Sequence, residues 1–212
     1  MKILFVSDRV VNRLYSPNIK ERYSDVDLIV GCGDLPYYYL EFLVSMLNQP
    51  LIFVHGNHDP LEEYLPDGTS ISSPGGGENL HGKTDVVDKV LLAGLEGSIR
   101  YKNGPFQYTQ SQMWRNVYQL APKLFLNKLR YGRYLDVLVA HSPPYGIHNG
   151  EDHTHTGFEA FLWLMKVFKP RYLIHGHRHV YSPCEDTETQ FMDTQVINIY
   201  PFKILEIEAP PA

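Results

Sequence analysis

Two cysteines in 212 residues are too few for a disulfide framework, so the expected compartment is the reducing cytoplasm. Cys32 lies in an apolar run and is expected as a free core thiol, whereas Cys184 falls in a polar loop. No apolar stretch approaches the length of a membrane span, and the short run after Met1 is below the size of a signal-peptide core. No membrane partner is therefore expected. Runs of Lys or Arg are also missing, and the formal net charge is −5 with a pI near 6.0. A grip on long nucleic acid rests on a basic surface, which makes a nuclease the least favoured reading. Histidine is absent before His55, so any imidazole chemistry belongs to the later part of the chain.

What is present is a globular composition, 43% hydrophobic and 20% charged, on a chain long enough to bury a core as one domain over residues 1–212. The first part alternates strand and helix signals. Strands are expected at 2–6, 27–31 and 51–54, with helices at 17–23 and 37–47. In the second helix Tyr39, Leu40, Leu43, Val44 and Leu47 recur at helical spacing. Residues 60–84 read as irregular, with Pro66-Asp67-Gly68 and Pro74-Gly75-Gly76-Gly77 as turns. Gly75–Asn79 does not follow a strand into a helix and lacks the P-loop pattern, so it is not a phosphate cradle.

Strands are next expected at 85–87 and 90–93, then a Gly-containing loop at 94–105. The helix at 110–130 carries Met113, Val117, Leu120 and Leu124 beside a second row, Trp114, Tyr118, Ala121 and Phe125. Both rows are expected in the core, and Pro122 is expected to kink or divide the helix. A strand at 136–140, a loop at 142–156, a helix at 158–168 and a strand at 171–175 follow. The tail reads as short strands at 190–192, 196–200 and 203–208, with Tyr200-Pro201 at a turn. Alternating strands and helices with a strand-rich end imply parallel strands covered by helices, an α/β arrangement.

Five fragments, each just after a strand signal, concentrate metal-binding side chains. They are Ser7-Asp8-Arg9-Val10, Gly33-Asp34, Gly56-Asn57-His58-Asp59, His141-Ser142-Pro143-Pro144 and Gly176-His177-Arg178-His179. Side chains at the ends of neighbouring strands converge on one crevice in α/β sheets. Two Asp, one Asn and three His make a mixed oxygen and nitrogen pocket that suits borderline divalent ions such as Mn, Fe, Zn or Co.

In this order the fragments resemble the calcineurin-like metallophosphoesterase family, whose pattern is D-x-H, G-D, G-N-H-[DE], H and G-H-x-H. The resemblance spans residues 7–179. It implies a four-layer α/β/β/α sandwich of two packed mixed sheets, and two divalent metal ions (Mn, Fe or Zn). One ion would be held by Asp8, Asp34 and His179, the other by Asp34, Asn57, His141 and His177, with Asp34 bridging. His58 would be the catalytic histidine, and Asp59 beside it would set its tautomer. The implied activity is hydrolysis of a small phosphomonoester or phosphodiester by attack of a metal-bound hydroxide.

The chain departs from that pattern at Val10, where the family has His. The first ion should therefore bind more weakly, with Asn12 or water as the candidate replacement. The loop after His141 resembles a bacterial subgroup with an H-S-P-P loop, which makes His155 and Gly157 candidate substrate contacts. Arg9 is a further candidate for substrate phosphate, and a ring among Tyr37, Tyr38 and Tyr39 for the pocket wall. His55, His175 and His153 are expected as structural or loop residues. The alternative to an enzyme is a scaffold of the same fold that binds a protein partner, a path that Val10 leaves open.

Overall fold

A computed structural model of the chain describes residues 1–65, 67–182 and 184–209. Pro66 of the expected Pro66-Asp67-Gly68 turn and residues 210–212 of the expected domain lie outside the described residues. The elements run β1 (Lys2–Val6), α1 (Ile19–Tyr23), β2 (Leu28–Gly31), α2 (Tyr37–Leu47), β3 (Leu51–Phe53), β4 (Glu63–Tyr64), β5 (Ser70–Ile71) and β6 (Gly77–Asn79). They continue with β7 (Thr84–Val87), β8 (Val90–Leu95), β9 (Ser98–Ile99), β10 (Gln107–Tyr108), α3 (Gln110–Tyr131) and β11 (Val137–Ala140). A 3-10 turn at His153–His155, α4 (Glu159–Phe168), β12 (Tyr172–His175), β13 (Glu188–Phe191), β14 (Thr194–Asn198) and β15 (Phe202–Glu206) complete them.

Two large mixed sheets form, ordered β15-β1-β2-β3-β6 and β13-β14-β12-β11-β8-β7. The inner strands pair in parallel, and antiparallel partners close the edges at β15, β13 and β7. Period-2 alternation explains the layers. In β1, Ile3 and Phe5 join the cluster between the sheets, where Val30, Leu92, Val139 and Ile174 meet them. Leu4 and Val6 point the other way, onto Leu40 and Leu43 of α2. In β8, Leu91 and Ala93 turn outward onto Met113 of α3 and Phe161 of α4. Strands buried on both faces read as unbroken apolar runs, which makes them legible in the sequence. The result is the expected four-layer α/β/β/α sandwich, with parallel strand ends delivering their loops to one crevice.

Several expectations are corrected. The stretch 60–84 is not wholly irregular: β4 and β5 form a small hairpin, and β6 adds to the edge of the first sheet. Gly77-Glu78-Asn79 has no apolar pattern, and a Cβ on Gly77 would lie 3.0 Å from Leu51, so packing against β3 selects it. Likewise β9 and β10 pair across the expected 94–105 loop. The last three strands begin one or two residues earlier than expected. Cys32 is fully buried and free, and burial pushes its thiol up; Cys184 is exposed and also free.

Helix α3 runs unbroken through Pro122, starting from a Thr109/Gln112 capping box and ending at Gly132 in the left-handed region. Pro122 is tolerated because it faces solvent, yet its ring still removes a backbone donor and crowds the preceding turn. Pro122→Ala should therefore raise stability to urea unfolding by about 1–3 kcal/mol; an unchanged midpoint would mean the helix already relieves the proline.

Candidate metal centre

Three loops approach more closely than side chains permit, and this sets the geometry. A Cβ on Gly33 (φ 91) would lie 2.5 Å from the Gly56 nitrogen and 2.6 Å from His141 Nδ1. On Gly56 it would lie 2.0 Å from Asp34 Oδ1, and on Gly176 1.9 Å from Ser7 Oγ. The three site residues Asp8 (φ 62), Asp34 (φ 57) and His177 (φ 63) adopt left-handed backbone, a strained conformation that collects at functional sites.

His141 is fully buried at the end of β11. Its Nδ1–H donates to the Cys32 carbonyl at 2.8 Å, which turns Nε2 toward Asn57 Oδ1 (3.1 Å) and Asp34 Oδ2 (3.4 Å). His177 donates from Nε2 to the Thr154 carbonyl at 3.1 Å, so the neutral ring keeps its lone pair on Nδ1. Ligand atoms of Asp34, His141 and His177 all lie within 4.8 Å of one another. Asn57 is buried against them, with its amide donating to Tyr101 Oη at 3.3 Å. Outer hydrogen bonds that fix a tautomer in this way are the usual support of metal-binding imidazoles.

Burial opposes charge on Asp34, but the adjoining His141 imidazole and the His58 N–H hold its carboxyl well below the usual range. Burial likewise works to depress His141, and Asp34 outweighs it, raising the imidazole to about 9. Burial, reinforced by the charge of His141, pushes His177 down, toward the neutral form that ligates metal. The spot between Asp34 and His141 thus favours positive charge, and its donor set suits a divalent ion of borderline softness.

The other expected set is leaner. Asp8 accepts the His177 N–H on both carboxylate oxygens (3.2 and 2.9 Å), and its Oδ1 lies 3.7 Å from His179 Nε2. His179 is oriented by Tyr181 Oη at 3.0 Å from Nδ1 and by stacking on Tyr200 at 4.4 Å. Val10 is turned into the apolar cluster around Leu4, Val6 and Leu14 and offers no donor. Asn12 lines a hollow with Arg9, Val10 and Pro201.

A cleft of about 410 Å³ opens over these groups, lined by Asp8, Asp34, His58, Thr154, His155, His177, Arg178, His179 and Tyr181. His58 is exposed there, its backbone N–H donating to Asp34 Oδ1 at 2.8 Å. His155 lines the cleft. Asp152 holds its Nδ1 at 2.7 Å, and its ring lies 4.7 Å from that of His177. The motif pattern does not point to Thr154, Arg178 or Tyr181; only the nearness of Tyr181 to His179 hints at one of them. Arg178 is paired with Glu185 at 3.2 Å.

Three expected roles change. Asp59 does not orient His58: its carboxylate accepts the backbone N–H groups of Asp34 (3.0 Å), Leu35 (3.1 Å) and Gly56 (2.7 Å). Burial and the charge of Asp34 push its carboxyl up, against the pull of those donors. Arg9 lies outside the cleft, in the hollow with Asn12. Gly157 (φ 78) makes a turn where a Cβ would lie 2.6 Å from the Pro143 carbonyl, and it does not line the cleft.

Tyr37 and Tyr39 are buried and Tyr38 exposed, so none of the three forms the cleft wall. His55 and His175 are buried and hydrogen-bonded, to Glu96 at 3.1 Å and to His148 at 3.0 Å. His153 meets the Arg100 carbonyl at 3.2 Å, away from the cleft.

No curated protein matches the chain. A crystal structure aligning with 96% of this chain and 94% of its own has 16% identity and a TM-score of 0.63. TT1561 of Thermus thermophilus aligns over 93% of this chain and 88% of its own, at 16% identity and a TM-score of 0.59. Phosphopantetheinyl hydrolase (PptH) from Mycobacterium tuberculosis covers the same shares at 13% identity and a TM-score of 0.50. Likeness at such identities establishes the shared fold. A family model described as calcineurin-like phosphoesterase matches residues 1–181. With that match over most of its length, the chain belongs to the calcineurin-like phosphoesterase family.

Proposed function

We propose that the chain is a metal-dependent phosphoesterase, one domain over residues 1–212, that hydrolyses a small phosphomonoester or phosphodiester in the cytoplasm. The observation that carries this reading is the convergence of Asp34, His141 and His177 within 4.8 Å, from loops of both sheets. Asp34, Asn57, His141 and His177 hold one divalent ion, Mn, Fe or Zn; Asp8, Asp34 and His179 hold a second, more weakly because Val10 adds no donor. Such ions, when bound, polarise phosphoryl oxygens and lower the pKa of water.

The remaining work falls to side chains of the cleft. His58, exposed at the cleft and anchored through its N–H to Asp34, gives a proton to the departing oxygen. His155, oriented by Asp152, and Tyr181, which line the same cleft, contact the substrate. Asp59 positions: by accepting three N–H groups it clips the Asp34 turn to the Gly56 turn.

The test is to strip the protein of metal, reconstitute it with Mn and follow hydrolysis of bis(p-nitrophenyl) phosphate. Asp34→Asn and His177→Ala should lose bound Mn, read by elemental analysis, together with turnover. His58→Ala should keep its metal and lose roughly 10²–10⁴-fold in kcat, the range of a positioned acid. Full turnover in that variant would place the proton elsewhere. Absence of turnover in the wild type with Mn bound would favour the scaffold reading. Asp59→Ala should lower stability by about 3 kcal/mol or more, because three N–H groups, two of them buried, lose a charged acceptor. A variant of normal stability that has lost only turnover would make Asp59 a catalytic residue after all.

A further inference from the structure

Helix α3 has two apolar faces, one buried in the core and the other largely open. Met113, Val117, Leu120 and Leu124 are buried in the core. Tyr118, Pro122, Phe125 and Leu129 recur at i, i+4, i+7 and i+11, which places them in one row on nearly the opposite side. Tyr118 is 57% exposed, Phe125 51% and Leu129 85%, and Leu126 beside them is 57% exposed. This corrects the expectation that the second row is core: Trp114 and Ala121 are partly covered, while Tyr118 and Phe125 are half-exposed, in T-shaped contact with Trp163 and Phe168 of α4 on their covered side. The outer face of a surface helix is ordinarily polar. An apolar row of this length, about 16 Å at the helical rise, signals a covering partner.

Charge says what kind of partner. Helix α3 contains no acidic residue but carries Arg115, Lys123, Lys128 and Arg130, in a chain of formal net charge −5. Among the described residues none of these four makes an ion pair with a carboxylate. Lys123 and Lys128 donate instead to the carbonyls of Gly82 and Gly132. A second copy packed face to face would set one helix's cations against the other's, so the row does not suit a symmetric dimer. Protruding Tyr, Phe and Leu side chains on a helix whose four cations have no carboxylate partner are the composition of a helix that lies in a bilayer interface. We propose that this face of α3 docks the protein on an anionic lipid surface. The helix lies on the bilayer and does not cross it, because its other face is occupied by the core; no helix among the described residues is long and apolar enough to span. None of the residues involved lines the metal cleft, so docking and catalysis can be tested separately.

The experiment is co-sedimentation of the full chain with phosphatidylcholine vesicles, with and without roughly a third phosphatidylglycerol. Wild type should sediment with the anionic vesicles only, and about 0.5 M salt should weaken that binding by screening the cations. Leu129→Glu and Arg130→Glu should each reduce it by about tenfold or more. Both positions are exposed, and an unchanged thermal melt would show that the variants remain folded. Failure of the wild type to sediment with anionic vesicles overturns the proposal, and an acidic helix of a partner protein would then be the occupant to seek. Undiminished binding by folded Leu129→Glu also overturns it, since the apolar row would then play no part.

Discussion

Backbone crowding at Gly33, Gly56 and Gly176 is the constraint on which the site rests. At each of these positions an added Cβ would overlap an atom of a neighbouring loop, so the three turns can lie against one another only without side chains. Their approach brings the Asp34 carboxylate to the His58 N–H and the Asp8 carboxylate to the His177 N–H. Asp59 then ties the Asp34 and Gly56 turns together by three charge-assisted bonds. The left-handed backbone of Asp8, Asp34 and His177 is retained because these contacts over-determine it.

Support continues behind the ligands. The Cys32 carbonyl fixes the His141 tautomer, and that carbonyl also receives the Ser7 hydroxyl at 3.2 Å. On the other side, His175 Nδ1–H donates to the Gly176 carbonyl at 2.9 Å, which leaves Nε2 to accept from His148 Nδ1 at 3.0 Å. His148 Nε2 in turn accepts the Thr189 hydroxyl at 3.0 Å. Burial, and then the neighbouring His148, push His175 down to about 3, so this string is neutral and its donor direction is set. The loop after β11 and the turn after β12 are thereby held as one piece, although their residues are distant in sequence.

Much of this is legible in the sequence, for identifiable reasons. Strands buried on both faces show as apolar runs, and a ligand-rich fragment after each of five such runs implies convergence. What escapes depends on tertiary packing. The strand Gly77–Asn79 is chosen by space beside Leu51 and not by pattern. Asp59 stands beside His58 in sequence, yet its carboxylate faces the backbone of the Asp34 turn. No spacing rule distinguishes a carboxylate that orients an imidazole from one that receives backbone N–H groups. The outer row of α3 escapes for a related reason. Helical periodicity finds apolar faces but does not count how many of them the rest of the chain can cover.

Val10 bears on the balance between the two ion positions proposed for this cleft. Asp34, Asn57, His141 and His177 lie together, with the carbonyls of Cys32 and Thr154 orienting the two imidazoles. On the other side the His179 side chain is 41% exposed, whereas Asp8 is buried with both carboxylate oxygens already engaged by the His177 N–H. Asp8 therefore supports His177 whether or not it binds metal itself, because its carboxylate holds the turn from which His177 projects. Val10, in turn, is half-buried against the apolar cluster under α2, so a histidine there would give up that packing.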